Sequence, residues 1–276
     1  MNPAILITST ANPRVKEIRK LRERKYRAET GLYFIEGLRI VGEASRYLER
    51  MQTLVISPEL LTSAYGKELV AHLREKGIET LEVSAEVFAT LSGKDGPQGL
   101  AAVMRQQAHP LPHLDPTAPA LFIALDSVQD PGNLGTVLRT ADAVAAQGVI
   151  LLGNCTDAYD PAVVRGSMGA VFSVAVIKTE YDGLFAWCAA QQLAVVGTSD
   201  SAAQHYAALS YPRRMLLLMG SEQKGLPAEV QARVGQMARI PMAGRSDSLN
   251  LAVASAVMLY EIAGQHAGRK PHKEVG

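Results

Sequence analysis

The chain has 276 residues, 47% hydrophobic and 20% charged, with a formal net charge of +1. That composition builds one large domain or two ordinary ones and argues against a disordered chain. The opening stretch MNPAILITSTANPRVKEIRK has no apolar run behind a charged start, and no segment approaches membrane-spanning length, so a signal peptide and a membrane partner are not expected. Two isolated cysteines, Cys155 and Cys188, make no disulfide scaffold and read as thiols of a reducing, cytoplasmic setting.

The first predicted element is a helix beginning near residue 13. Asn12 suits its N-cap, Pro13 its first position, and Val15, Ile18 and Leu21 form a narrow apolar stripe. Arg14, Lys16, Arg19, Lys20, Arg22, Arg24, Lys25 and Arg27 crowd this segment, opposed only by Glu17 and Glu23. Such a run reads either as a phosphate-binding footprint or as a solvated helix face. Strands and helices then alternate. LYFI (32–35) reads as a strand, Leu38, Val41 and Leu48 mark a helix face, and TLVIS (53–57) is a second strand. A helix runs through Leu69, Val70 and Leu73 to Gly77, and ETLEV (79–83) and LAAVM (100–104) complete a small α/β unit.

The stretch QQAHPLPHLDPTAP (106–119) is proline-rich and aperiodic, which is linker composition. It divides a first domain, 1–105, from a second, 120–276. The second domain opens with LFIAL (121–125) and continues through GVILL (148–152), VAVI (174–177), LAVVG (193–197), MLLLM (215–219) and ARIPM (238–242). Apolar runs without alternation, separated by helical patterns, predict an α/β fold with a mostly parallel sheet covered on both faces. A last helix, from about Ser248 to Gln265, carries Leu249, Val253, Ala256, Val257 and Tyr260, a spacing suited to packing on a sheet or on another subunit.

Ligands of parallel α/β sheets bind at the loops leaving the carboxyl ends of strands. Four such loops are unusual here. In 126–143, Asp130-Pro131-Gly132-Asn133 reads as a turn ahead of a helix bearing Arg139, with Gly132 and Gly135 allowing close backbone approach. Arg139 suits a phosphate or carboxylate, although a surface arginine beside a capping asparagine has the same appearance. GTSDS (197–201) follows the fourth strand. In 219–227, Gly220 follows a strand and Glu222 is either a ligand-orienting carboxylate or a helix-start charge. In 240–250, Ser248 is a natural N-cap, whereas Asn250 inside a first turn is poorly explained by helix preference.

Familiar alternatives are missing. There is no G-x-G-x-x-G, no G-x-x-x-x-G-K-[ST] and no G-x-S-x-G; Gly166-Ser167-Met168-Gly169 is only superficially similar to the last and falls in a predicted helix. His72, His109, His113, His205, His266 and His272 lack metal-ligand spacing, so no metal is expected.

Taken together, the loops resemble the three motifs of the SpoU-type ribose 2′-O-methyltransferases. Asn133-Leu134-Gly135 with Arg139 matches the first. Leu217-Leu218-Met219-Gly220-Ser221-Glu222 with Gly225-Leu226 matches the second. Ile240-Pro241-Met242 with Ser248-Leu249-Asn250 matches the third. The order and spacing hold across about 121–262, and FIEGLRIVGEA (34–44), behind the basic helix, resembles the small substrate-binding domain many members carry. Two departures are Gln223, where glycine is common, and Ala252, where serine is frequent.

The resemblance implies a sheet whose C-terminal part is threaded into a deep trefoil knot, an exception to the rule against knots. It implies a homodimer through the catalytic domain, with the final helix in the interface. It also implies S-adenosylmethionine held mainly by backbone, with Gly220, Ile240 and Leu249 as contacts and Thr198 and Met242 as further candidates. Asn133, Arg139, Glu222, Ser248 and Asn250 match the functional polar positions. Arg14, Lys16, Arg19, Lys20 and Arg39 form the expected RNA-binding set, and the extra domain favours ribosomal over transfer RNA as substrate. An arginine side chain stays protonated at neutral pH, so Arg139 is expected to stabilise charge on the 2′-oxygen or to anchor the adjacent phosphate. It would serve as a base only in a site that lowers its affinity for the proton. The competing readings are a transfer-RNA enzyme, a non-catalytic RNA-binding protein of the same fold, and a methyltransferase of that fold acting on a base nitrogen or a small molecule.

Overall fold

The structure, a computed structural model, describes residues 6–93 and 96–271. Two compact units form, one from residues up to 107 together with 159–172, the other from 108–158 and 173 onward.

The first unit starts with α1 (Pro13–Lys20). Asn12 caps it by accepting from the Arg14 N–H, and Val15 and Ile18 are buried. The basic run does not stay on one helix. The chain breaks and re-enters α2 (Arg24–Thr30), whose end at Gly31 takes a positive φ of 66° that glycine tolerates. Then come β1 (Leu32–Glu36), α3 (Leu38–Ala44), β2 (Met51–Ile56), α4 (Ala64–Glu75), β3 (Glu79–Glu82), α5 (Ala85–Leu91) and β4 (Leu100–Arg105). The four strands lie in the order β1-β4-β2-β3, with only the β2–β3 pair parallel. Helix α5 went unpredicted because it is short, but its logic is ordinary: Ser84 accepts from the Val87 N–H, and Val87, Phe88 and Leu91 fill the core beneath α1.

The second unit starts within the proline-rich stretch, which is held along the unit instead of acting as a free tether. The Trp187 indole donates to the Pro112 carbonyl at 2.7 Å, and the Arg214 guanidinium donates to the Asp115 and Ala118 carbonyls, both at 2.6 Å. After it come β5 (Ala120–Asp126), α6 (Pro131–Ala143) and β6 (Gly148–Leu152). The chain then forms α7 (Pro161–Ser167) and α8 (Ala170–Ser173), and residues 159–172 pack as part of the first unit. This segment departs from the continuous division expected at 106–119. Its anchors are side chains of the first unit: the buried Arg27 reaches Asp160 at 3.4 Å and the buried Arg50 donates to the Phe172 carbonyl at 3.3 Å. The Gly166–Gly169 stretch ends α7 instead of lying inside a helix, with Met168 at a φ of 54°.

The second unit resumes with β7 (Ala175–Lys178), α9 (Tyr181–Ala190), β8 (Ala194–Thr198), β9 (Gln204–His205), β10 (Arg214–Met219), α10 (Ala228–Gln231), β11 (Gln236–Arg239) and α11 (Leu251–His266). Its seven strands run β7-β6-β5-β10-β8-β11-β9 with every pairing parallel. Strands β5 and β6 are buried along their whole length, which is why they read as unbroken apolar runs. Phe122 meets Trp187 edge to face at 5.1 Å in this core. Helix α11 packs against α6. It is apolar on most of its surface: Leu251, Ala252, Ser255, Met258, Leu259 and Ile262 face inward together with the buried Glu261, while Val253 and Tyr260 are 49% and 59% exposed. The stripe picked out by spacing is thus largely the outward one. No helix among the described residues is long and apolar enough to cross a membrane.

Candidate active site

Three loops that are distant in sequence meet where β5 and β10 end. Helix α6 begins at Pro131, so Asn133 lies in its first turn and not in a preceding loop; the Asp130 carboxylate caps the helix by accepting from the Asn133 N–H at 2.8 Å. Helix α11 begins at Leu251, and its N-cap is Asn250, not Ser248. The Asn250 Oδ1 accepts from the Ala252 and Val253 N–H groups at 2.9 and 3.3 Å. This corrects the view that Asn250 sits unexplained inside a helix: as a cap it is among the best residue types.

The cap fixes which way the Asn250 amide faces. With Oδ1 committed to the helix end, Asn250 turns its Nδ2 outward and donates to the Asn133 Oδ1 at 2.9 Å. Asn133 in turn donates from its Nδ2 to the Glu222 carboxylate, which can only accept. The donor–acceptor sense is therefore the same read from either end, from the helix N–H groups to the carboxylate. Among the described residues Arg139 has no hydrogen-bond or ion-pair partner, and its side chain is exposed. Of the two partners considered for Glu222, it holds Asn133 and not Arg139. Ser248 is exposed ahead of the cap.

Beside this chain of bonds lies a cavity of about 530 Å³ walled by the ends of β8 and β10, the 219–226 loop and the segment leading into α11. Gly220, Ile240, Leu249, Thr198 and Met242 all line it, as do Glu222 and Ser248, whereas Asn133, Asn250 and Arg139 are not part of the lining. Gly220 has a reason that sequence reading missed. A Cβ there would overlap the Gly225 carbonyl carbon and the Leu226 nitrogen, so the missing side chain makes room for the protein's own backbone. Ser221 and Gly225 then close the loop with paired bonds of 3.1 and 3.0 Å, and Gly225 adopts a φ of 63°. The size suits a nucleoside-sized ligand. Apolar Ile240, Met242, Leu249 and Leu251 fit a base, and Asp200, Asp247 and Glu222 fit positive charge. The residues present thus fit S-adenosylmethionine. Asp200 and Asp247 were not singled out from sequence, since single exposed carboxylates carry no pattern.

The expected RNA-binding residues all belong to the first unit, and several are already engaged. Arg14 pairs with Glu79 at 2.8 Å, Arg19 donates to the Thr10 carbonyl at 2.8 Å, and Lys20 lies 5.4 Å over the Tyr26 ring. Lys16 and Arg39 are exposed and, among the described residues, without a polar partner. Two members of the basic run are structural. Arg22 donates to the Thr90 and Ser92 carbonyls, and Arg27 is 1% exposed, donating to the Leu21 and Arg22 carbonyls. Arg27 therefore does not contribute to a basic surface.

Burial pushes the Cys188 thiol up to about 12 and raises that of Cys155, so both stay protonated. Burial, with the Asp126 carboxylate second, also raises the Tyr181 phenol. Among the described residues no group of three or more histidine, cysteine or acidic side chains could hold a metal ion; His272 lies outside them.

Known proteins are similar to this chain in sequence and in fold. Residues 120–260 match the model of the SpoU rRNA Methylase family, and residues 12–102 match the MRM3-like substrate binding domain. The chain is 29% identical to the 23S rRNA (guanosine(2553)-2'-O)-methyltransferase RlmP of Bacillus subtilis, covering 94% of this chain and 99% of that protein. It is 32% identical to the 23S rRNA (guanosine-2'-O-)-methyltransferase RlmB of Bordetella pertussis, covering 82% and 88%. The crystal structure of an AdoMet-bound rRNA methyltransferase from Sinorhizobium meliloti superposes with a TM-score of 0.85 at 38% identity, over 95% of this chain and 98% of that one.

Proposed function

The chain belongs to the SpoU rRNA Methylase family, and from that premise we propose that it transfers a methyl group from S-adenosylmethionine to a ribose 2′-hydroxyl of ribosomal RNA. The observation that carries the reading is the Asn250–Asn133–Glu222 chain, which joins all three motif loops at the edge of a nucleoside-sized cavity. When bound, the cofactor supplies a methyl group activated by a positively charged sulfur. What remains for the protein is alignment of the hydroxyl and management of its proton.

In this reading Gly220, Ile240, Leu249, Thr198 and Met242 hold the cofactor. Asn133, with its amide direction set from both sides, orients the target ribose, and Ser248 assists from the cavity wall. Arg139, exposed and uncommitted, meets the nucleotide and offsets negative charge on the 2′-oxygen or grips the adjacent phosphate. Glu222 and Asn250 position Asn133. The first unit, through Arg14, Lys16, Arg19, Lys20 and Arg39, holds RNA by its phosphates, which gives affinity and little base selection.

The protein acts as a homodimer through its second unit. Support comes from the outward apolar stripe of α11, where Val253 and Tyr260 stand exposed beside Leu249. The knot belongs to the same reading. After β11, beyond β8 in the sheet, the chain returns past β8 and β10 to set Asn250 against Asn133. The buried free cysteines and the ribosomal RNA substrates of the relatives support a cytoplasmic setting.

The test is transfer of radiolabelled methyl from S-adenosylmethionine to total RNA lacking the modification, followed by alkaline digestion. Label in an alkali-resistant dinucleotide of ribosomal RNA is the expected result. Label in transfer RNA alone, in a base, or nowhere would reject the proposal.

A further inference from the structure

Tyr65, the second residue of α4, is 54% exposed, the most exposed large apolar side chain among the described residues of the first unit. It is nevertheless held. The next residue, Gly66, lets α4 press against Leu38 and Leu61: a Cβ there would come within 2.6 and 2.7 Å of their methyl carbons. Gly42 on α3 reciprocates, because the Tyr65 hydroxyl occupies the place its Cβ would take. Among the described residues that hydroxyl has no hydrogen-bond partner. The ring is thus fixed at one end and left half in water.

The charge around it is specific. Arg39 lies three residues before Gly42, a spacing that puts it on the side of α3 that meets Tyr65, and Arg46 follows in the turn just after the helix ends at Ala44. Both are exposed; Arg46 is 3.2 Å from Glu43, and Arg39 has no polar partner among the described residues. An aromatic ring with a guanidinium group on the same helix face and another in the following turn complements a base with its flanking phosphates. A lone ring can stack only on a base face, and duplex stacking covers those faces.

We propose that Tyr65 is a stacking platform for one unpaired nucleotide of the RNA substrate, with Arg39 and Arg46 taking the neighbouring phosphates. The proposal rests on the reading of the protein as an RNA methyltransferase and adds a recognition element to it. The probes are a fluorescently labelled single-stranded RNA dodecamer of mixed sequence and its duplex, titrated by anisotropy into the full-length protein and its Tyr65→Ala, Tyr65→Phe and Tyr65→Trp variants. Tyr65→Ala should weaken single-strand binding about tenfold, the fold-change of a ~1.4 kcal/mol stacking contact. Tyr65→Phe should stay within about twofold of the parent, and duplex binding should not change. The Tyr65→Trp emission should be quenched by the single strand. Unchanged single-strand affinity in Tyr65→Ala, or equal loss for both RNAs, overturns the platform alone. Failure of the parent protein to bind either RNA overturns the platform together with the reading beneath it.

Discussion

The Asn250 side-chain amide donates to the Asn133 carbonyl oxygen at 2.9 Å across 117 residues of chain. One side chain therefore closes a helix and sets a site amide, and the two tasks use different atoms. The Oδ1 serves the helix; the Nδ2 serves Asn133.

That division makes the tasks separable. Asn250→Asp keeps the capping oxygen and replaces the donor with an acceptor facing another acceptor. Stability should stay within about 0.5 kcal/mol while turnover falls at least tenfold. Asn250→Ala should lose turnover and also about 1 kcal/mol of stability, the usual worth of an N-cap. Thermal denaturation alongside methyl-transfer rates distinguishes the two, and equal stability loss in both variants would contradict the split.

Arg139→Ala should reduce turnover by about three orders of magnitude or more and leave S-adenosylmethionine affinity within about twofold, since Arg139 lies outside the cavity wall. Calorimetry and single-turnover rates decide the matter. Near-normal turnover would remove Arg139 from the reaction.

Gly220→Ala adds one methyl group where backbone already sits. The 221–225 turn must open to admit it, so cofactor affinity should drop more than tenfold. A folding cost of about 1–3 kcal/mol should accompany it. An alanine variant with parental affinity would show that the turn yields without harm.

Replacing Lys16 and Arg39 by alanine should lower RNA affinity and reduce the slope of log affinity against log salt by about 0.7–0.9 for each phosphate that is no longer neutralised. Replacing Arg27 should instead unfold the first unit, because its guanidinium is buried on backbone carbonyls and Asp160. Binding at several salt concentrations, with circular dichroism, separates the two classes.

The Cys188 thiol, pushed up to about 12, is neutral at pH 8 and should resist iodoacetamide in the folded protein. Raising the pH toward 12 increases the thiolate fraction, so reactivity should rise with pH. Mass spectrometry should find no adduct at pH 8 before denaturation and two after it, at Cys155 and Cys188.

Sequence patterning made the parallel strands legible, because a strand buried on both faces is apolar along its interior, as β6 is throughout and β5 and β10 are apart from Asp126 and Arg214 at their ends. The resemblance to the SpoU-type motifs, and not the patterning, pointed to Gly220, Ile240, Leu249, Thr198 and Met242, which line the cavity. Patterning misplaced the start of α11, since Ser248 and Asn250 are both good caps and only the completed helix decides between them. It missed the return of 159–172 to the first unit, which depends on single long-range anchors at Arg27 and Arg50. It misjudged the basic run because charge alone does not say which arginine will be swallowed by carbonyls. The reason for Gly220 was hidden for the same cause: the atoms it accommodates are the chain's own, five residues on.

The 117-residue span between Asn133 and Asn250 also measures time. A ribosome extending the chain at 5–20 residues per second takes about 6–23 s to make the second residue after the first. Until then the Asn133 carbonyl oxygen lacks the donor that fixes it and α11 has no beginning. A nascent or truncated chain can hold a finished first unit, already able to meet RNA, while the transfer site does not yet exist. Birth of the activity is thereby tied to synthesis of the α11 segment.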